Sequence, residues 1–239
     1  MMVKSAGYAM KILNKIFSIL MLIEFLLSIV LIISIMCVLP RYQRALRAFW
    51  ARSQRKILGY KIKQIGTLEI SANLYILNHQ SVLDIMIFEE IHPKDICWIA
   101  KKEIAELFFI GKMLTIPKMI AIDRKSPRAM AHILSEAKQK LAQNRPIMIF
   151  PEGTRSRGDK LLKFHKGADI LATKLGLKVQ PIVIAGSRHL LDTKDLVVRR
   201  GNVIVEYLEL ADITSDNWLD KARDDMQAVL EKNLKELGL

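Results

Sequence analysis

The chain begins with a long apolar run. From Ile16 to Leu39 the only charge is Glu24, and 24 residues suffice to cross a bilayer as a helix. Pro40 ends the run. Between Arg41 and Leu58, apolar residues recur with helical spacing at Tyr42, Ala45, Leu46, Phe49, Trp50 and Ile57, with Arg44, Arg47, Arg52 and Arg55 around them. That pattern predicts a basic amphipathic helix lying at an anionic lipid surface. After Tyr60 short apolar runs alternate with longer helical periods, the signature of an α/β fold with a mainly parallel sheet flanked by helices. The predicted strands are Leu74 to Leu77, Ile96 to Ala100, Met119 to Asp123, Pro146 to Phe150, Val179 to Ala185 and Val203 to Leu208. Ser126-Pro127 opens a predicted helix that runs to Gln143, and Gly176 closes another begun near Lys166. The chain thus divides into an N-terminal, membrane-associated helical part, residues 1–58, and an α/β domain, residues 59–239.

Charge sharpens this division. Of a net +13, the first 66 residues hold eleven Lys or Arg against the single acid Glu24, so basicity is a property of the N-terminal region. These cations flank a bilayer-length apolar segment and lack aromatic interleaving or groove-reading patterns, which favours anionic membrane lipids as partners and argues against nucleic acid. Three readings compete for Ile16 to Leu39: a signal peptide, a spanning helix, and the deeper arm of a hairpin entering one leaflet. The run is too long for a signal peptide and no small-x-small cleavage site follows it. Glu24 would cost about 2.5 to 3.5 kcal/mol at a bilayer centre, which favours a hairpin or packed helix over a lone span. Either way, the larger basic cluster after the segment puts the C-terminal domain on the cytoplasmic side. Cys37 and Cys97 lie in apolar runs and read as small buried hydrophobes, with neither a disulfide framework nor a metal site implied.

Two stretches carry chemistry, Asn78-His-Gln-Ser-Val-Leu-Asp84 and Phe150-Pro-Glu-Gly-Thr-Arg-Ser156. Each follows a predicted strand, and open α/β sheets bind ligands at the carboxyl ends of their strands, so the two are expected to face one crevice. In the first, His79 is a candidate general base and Asp84 the group that orients it. A plainer reading of Asp84 is a capping box with Ser81, and His92, His132, His165 and His189 read as ordinary surface or backbone-bonded residues. Ser81 lacks the Gly-x-Ser-x-Gly elbow of a serine nucleophile. In the second stretch Arg155 can grip phosphate in two-pronged fashion, Thr154 and Ser156 can add hydroxyl donors, and Gly153 lets backbone amides approach an anion. Its plain alternative is a surface turn with an exposed ion pair.

These residues resemble the glycerolipid acyltransferase family, in which Asn-His-(four residues)-Asp is followed by Phe-Pro-Glu-Gly-Thr-Arg-Ser. Lys118-Met-Ile-Ala-Ile-Asp-Arg124 is similar to its Lys-x-x-Phe-Ile-x-Arg element, with Ala121 in place of Phe, and Val179-Gln-Pro-Ile-Val183 to its Val-x-Pro-Ile strand. The resemblance covers roughly residues 75–185. It implies that His79 and Asp84 are catalytic, that Arg124, Glu152, Gly153, Thr154 and Arg155 bind the acceptor, and that no metal or cofactor takes part. The implied reaction moves a fatty acyl group from acyl-CoA or acyl carrier protein, as co-substrate, to the sn-2 hydroxyl of lysophosphatidic acid. Phosphatidic acid, a phospholipid precursor, is the product, made at a membrane and by the compactness of the chain at a bacterial inner membrane. The alternatives are another lyso-lipid or glycerol 3-phosphate as acceptor, or a non-catalytic lipid-binding module.

Overall fold

A computed structural model describes the backbone of residues 2–239 and the side-chain surroundings of residues 12–239. The chain runs α1 (Met2–Val38), a 3-10 turn at Pro40–Tyr42, α2 (Gln43–Leu58), β1 (Tyr60–Ile65), β2 (Leu74–Leu77) and α3 (Leu83–Ile91). It continues through β3 (Cys97–Lys101), α4 (Lys102–Ala105), α5 (Lys112–Thr115), β4 (Ile120–Ile122), α6 (Ala129–Ala142), β5 (Ile147–Ile149) and α7 (Gly167–Leu175). The last part comprises β6 (Val179–Ala185), α8 (Ser187–Leu190), β7 (Leu191–Asp192), β8 (Val197–Val198), β9 (Gly201–Tyr207) and α9 (Trp218–Leu237).

Seven strands form one sheet in the order β1-β9-β6-β2-β5-β3-β4, parallel at every pairing except β6 with β9. Strands β2 and β6, near the middle, are buried at every position, as expected where helices cover both faces. The sequence pattern missed β1, whose Tyr-Lys-Ile-Lys-Gln-Ile run reads as polar because it is an edge strand with charged residues on its open side. Pro181 lies in the interior strand β6. It is tolerated because the β6–β9 ladder starts only at Ile182, and the Pro181 carbonyl accepts from Leu208 just before it.

The N-terminal helices form a hairpin held to the domain by polar contacts. On α1, half-buried Glu24 accepts a hydrogen bond from Gln54 of α2 at 2.9 Å, and Ser28 accepts from Trp50 and Gln54. The costly carboxylate therefore faces α2 and not the outer side of α1. Cys37 departs from expectation: it is exposed on α1, whereas Cys97 is buried in β3.

Three of the four α2 arginines, Arg44, Arg47 and Arg55, also depart from the predicted pattern, while Arg52 stays exposed. They were expected on a lipid-facing polar surface, but α2 packs Arg47, Trp50, Ala51, Gln54 and Leu58 into the protein. Arg47 is buried between Glu89 and Asp95, Arg44 donates to the carbonyl of Glu89, and Arg55 pairs with Glu90 at 2.9 Å. Helical periodicity shows which residues share a face, but only tertiary packing brings the α3 carboxylates opposite them. Removing one partner of such a buried pair strands the other charge. Arg47→Ala is accordingly expected to cost about 3–5 kcal/mol of stability, read as a lowered melting temperature of the purified protein; an unchanged melt would show that the cluster does not hold the hairpin in place.

Candidate active site

Strand β2 ends at Leu77, and the next side chain prolongs its ladder. The buried Asn78 amide donates to the Ile184 carbonyl at 2.9 Å, and its oxygen accepts from the Ile184 amide at 2.7 Å. This fixes the backbone just where His79 leaves the sheet.

His79 is then held at four points. Its Nδ1 lies 2.9 Å from Asp84 Oδ2. Its backbone N–H donates to Glu152 Oε1 at 2.8 Å, and its carbonyl accepts from the Ser156 N–H at 2.8 Å and from the Ser156 hydroxyl at 3.3 Å. Its ring stacks on Phe150 with centroids 3.9 Å apart and planes 13° from parallel, and Phe150 in turn stacks on Trp98 at 5.1 Å. The loops after β2 and β5, two neighbouring strands, are thus stitched together through a single residue. Only 14% of the His79 side chain reaches solvent. With Nδ1 engaged by the carboxylate, Nε2 is the ring nitrogen left for exchanging a proton.

Asp84 makes the contacts of both readings that the sequence offered as alternatives. Its side chain is fully buried, and Oδ2 accepts from the Gln80 N–H at 2.7 Å and the Ser81 N–H at 2.8 Å as well as facing His79. The same oxygen caps the turn into α3 and orients the imidazole. Ser81 is no nucleophile: it is buried, and its hydroxyl donates to the Leu191 carbonyl at 2.6 Å.

Two expectations for the Phe150–Ser156 loop need correction. Glu152, expected to bind the acceptor, is buried, with one oxygen on the His79 amide and the other accepting from the Leu162 amide at 2.8 Å. Both oxygens serve backbone donors, so it shapes the loop. Ser156, offered as a hydroxyl donor to a ligand, is buried against the His79 carbonyl. The cations do lie outward. Arg124 is exposed and donates to the Gly153 carbonyl at 2.8 Å; exposed Arg155, next to Ser156, donates to Thr193 Oγ1 at 3.2 Å; and Thr154 is exposed. Gly153 has φ +69°, and a Cβ there would stand 2.7 Å from Arg124 Nη1, so glycine provides both the turn and the room. The sequence missed Phe150 as the support of the His79 ring, although its place before Pro151 was in plain view. His165 is exposed and donates its backbone N–H to the Pro151 carbonyl, in keeping with the plain surface reading.

A cleft of about 290 Å³ lies beside Gln80, walled in part by Arg188, Asp192 and Arg199. Arg188 is paired with Asp192 at 2.9 Å, and His79 does not line the cleft, so the acid–base geometry belongs to the neighbouring loops. Among the described residues, no group of three or more His, Cys, Asp or Glu could hold a metal ion.

Burial, aided by the nearby Asp84 carboxylate, pushes Glu152 up from 4.5 to about 7, while the amides of Leu162 and His79 pull it down. A carboxyl raised on folding stabilises most below its unfolded value and loses that contribution as pH rises through its folded one. Glu152→Gln keeps the shape but turns an NH₂ toward one of the two amides. We expect it to be less stable than wild type, with the melting-temperature gap wider at pH 5 than at pH 8. A gap independent of pH would rule out titration of Glu152 in this range.

The acyltransferase family model matches residues 61–185. A 1-acyl-sn-glycerol-3-phosphate acyltransferase of Helicobacter pylori (strain J99) is 40% identical over 198 residues, covering 79% of this chain and 84% of that protein. The Saccharomyces cerevisiae protein of the same name is 31% identical over 222 residues, covering 87% of this chain and 72% of that one. Among solved structures, a 1-acyl-sn-glycerophosphate acyltransferase of Thermotoga maritima superposes with a TM-score of 0.59 over 89% of this chain and 95% of that one. At 20% identity that likeness speaks to the fold alone.

Proposed function

This chain belongs to the acyltransferase family, and we propose that it transfers a fatty acyl group from acyl-CoA or acyl carrier protein to the sn-2 hydroxyl of 1-acyl-sn-glycerol 3-phosphate. The products are phosphatidic acid, for phospholipid synthesis, and a free thiol. The observation that carries this reading is the 2.9 Å contact between His79 Nδ1 and Asp84, because it leaves Nε2 to act as base. The names of the relatives support the acceptor.

An alcohol is almost never ionised at neutral pH and attacks a thioester slowly. His79 Nε2 takes the hydroxyl proton as the oxygen attacks the thioester carbonyl; a C–O bond forms and the carbonyl electron pair moves onto its oxygen. Asp84 stabilises the imidazolium and keeps Nδ1 protonated. When the tetrahedral species collapses the C–S bond breaks, and the thiolate leaves with the proton from His79. The acceptor hydroxyl is itself the nucleophile, so no acyl-enzyme forms. Arg155, Arg124, Thr154 and the Gly153 loop bind the acceptor phosphate, and Glu152 holds the loop to His79.

The substrate is an amphiphile, and each acyl methylene is worth roughly 0.8 kcal/mol out of water, which keeps it in the bilayer. Helix α1 supplies an apolar stretch of 27 residues, Ile12–Val38, as the membrane anchor. The basic residues that follow it favour a cytoplasmic catalytic domain, at a bacterial inner membrane.

Thiol release from an acyl thioester in the presence of lysophosphatidate tests the reading. His79→Ala is expected to lower kcat by about 10²- to 10⁴-fold; retention of full rate would refute it as the base. Arg155→Ala should raise KM for lysophosphatidate and spare neutral lyso-lipid acceptors, whereas an equal loss on both kinds would remove Arg155 from phosphate recognition.

A further inference from the structure

Between β3 and β4 the chain makes a tight knuckle. Lys101 ends β3, α4 follows at once, and the turn into α5 is closed by backbone hydrogen bonds from Ile110 to Phe108 at 2.8 Å, Gly111 to Leu107 at 2.9 Å and Lys112 to Phe109 at 2.9 Å. Phe109 takes φ +65°, a left-handed conformation that a bulky residue adopts only when its surroundings impose it. At Gly111 a Cβ would lie 2.1 Å from the Ala105 carbonyl oxygen, so no other residue fits without moving the backbone. The knuckle is therefore a built feature.

It displays apolar side chains to the outside. Phe108 is 97% exposed, Leu107 54% and Ile104 42%. A strained, glycine-dependent turn that holds a whole aromatic ring away from the protein calls for an apolar partner. Its neighbour indicates which one. Helix α5 packs against α1, whose bilayer-length stretch leaves Leu13, Leu20, Leu27 and Leu31 exposed. Lys101, Lys102 and Lys112 flank the knuckle against Glu103 and Glu106, a cationic excess suited to anionic headgroups. Because β3 runs parallel to β5, and β5 to β2, the knuckle leaves the sheet at the same end as the loops bearing His79 and Glu152.

We propose that Ile104, Leu107 and Phe108 insert into the acyl-chain boundary of an anionic bilayer, as a second membrane contact distant in sequence from the N-terminal helices. Together with α1 it turns the carboxyl end of the sheet toward the lipid that carries the substrates. This rests on the reading of α1 as a membrane element, and the test separates the two.

Full-length Cys37→Ser protein leaves only Cys97, which is buried, so a cysteine introduced by Phe108→Cys can be labelled selectively with an environment-sensitive fluorophore. Gln143→Cys, exposed in the turn before β5 at the opposite end of the sheet, is the control. On phosphatidylglycerol and phosphatidylethanolamine vesicles the label at 108 should shift to the blue and be quenched by acyl-chain-brominated lipid. The label at 143 should be quenched by aqueous iodide alone. Phe108→Asp should slow turnover of vesicle-borne acceptor severalfold and leave turnover of detergent-dispersed acceptor intact. Protein that sediments with vesicles while its 108 label remains open to iodide overturns the knuckle and leaves α1 as anchor. Protein that does not sediment overturns both. Fluorophore self-quenching that rises with protein density, without lipid quenching, identifies a second copy of the chain as the partner and likewise overturns the proposal.

Discussion

The structure turns on the immobilisation of one histidine. A side chain on a loop has a rotating backbone and a rotating ring, and the base proposed at His79 can have neither if it is to meet a hydroxyl at hydrogen-bond distance. Here the His79 peptide groups are fixed by Glu152 on one side and Ser156 on the other, and the ring is fixed in its plane by Asp84 and on its face by Phe150. Three of these four partners come from the loop after β5. The two loops therefore act as one body, and whatever seats β5 beside β2 also seats His79.

That body is joined to the N-terminal hairpin by continuous packing. Arg47 of α2 meets Glu89 of α3; Glu89 accepts from the Trp98 indole at 2.9 Å; Trp98 stacks on Phe150, and Phe150 on His79. Arg44, Arg47 and Arg55, which first look like part of a membrane-seeking face, are engaged by groups of the α/β domain. What remains outward on the hairpin is the apolar outer side of α1, with Phe49 and Ile57 on α2 beside exposed Arg41, Arg52 and Lys56.

Glu152 shows how a residue in a binding motif can serve the fold. A carboxylate would repel a phosphate, and its burial with both oxygens on amides gives it a different task. The exposed members of the same loop, Thr154 and Arg155, and Arg124 at the Gly153 carbonyl are the ones that face outward. A motif of seven consecutive residues is thereby divided by burial into a part that faces inward and a part that faces out.

The local pattern of the chain by itself determined the parallel α/β layout, the bounds of β2 and β6 to the residue, the long apolar helix with its stop at Pro40, and the presence of His79 and Asp84 in one strand-to-helix turn. These follow from periodicities of two and 3.6 residues and from short-range turn chemistry, which act within a few positions. Only the tertiary structure decided that β1 joins the sheet at an edge, that the α2 arginines are spent on α3, that Glu152 and Ser156 clamp a residue more than seventy positions earlier, and that Phe150 supports its ring. Each of these depends on groups distant in sequence meeting in space, and burial, which alone separates a ligand-facing polar residue from a structural one, is not a property of a residue until the chain has closed around it.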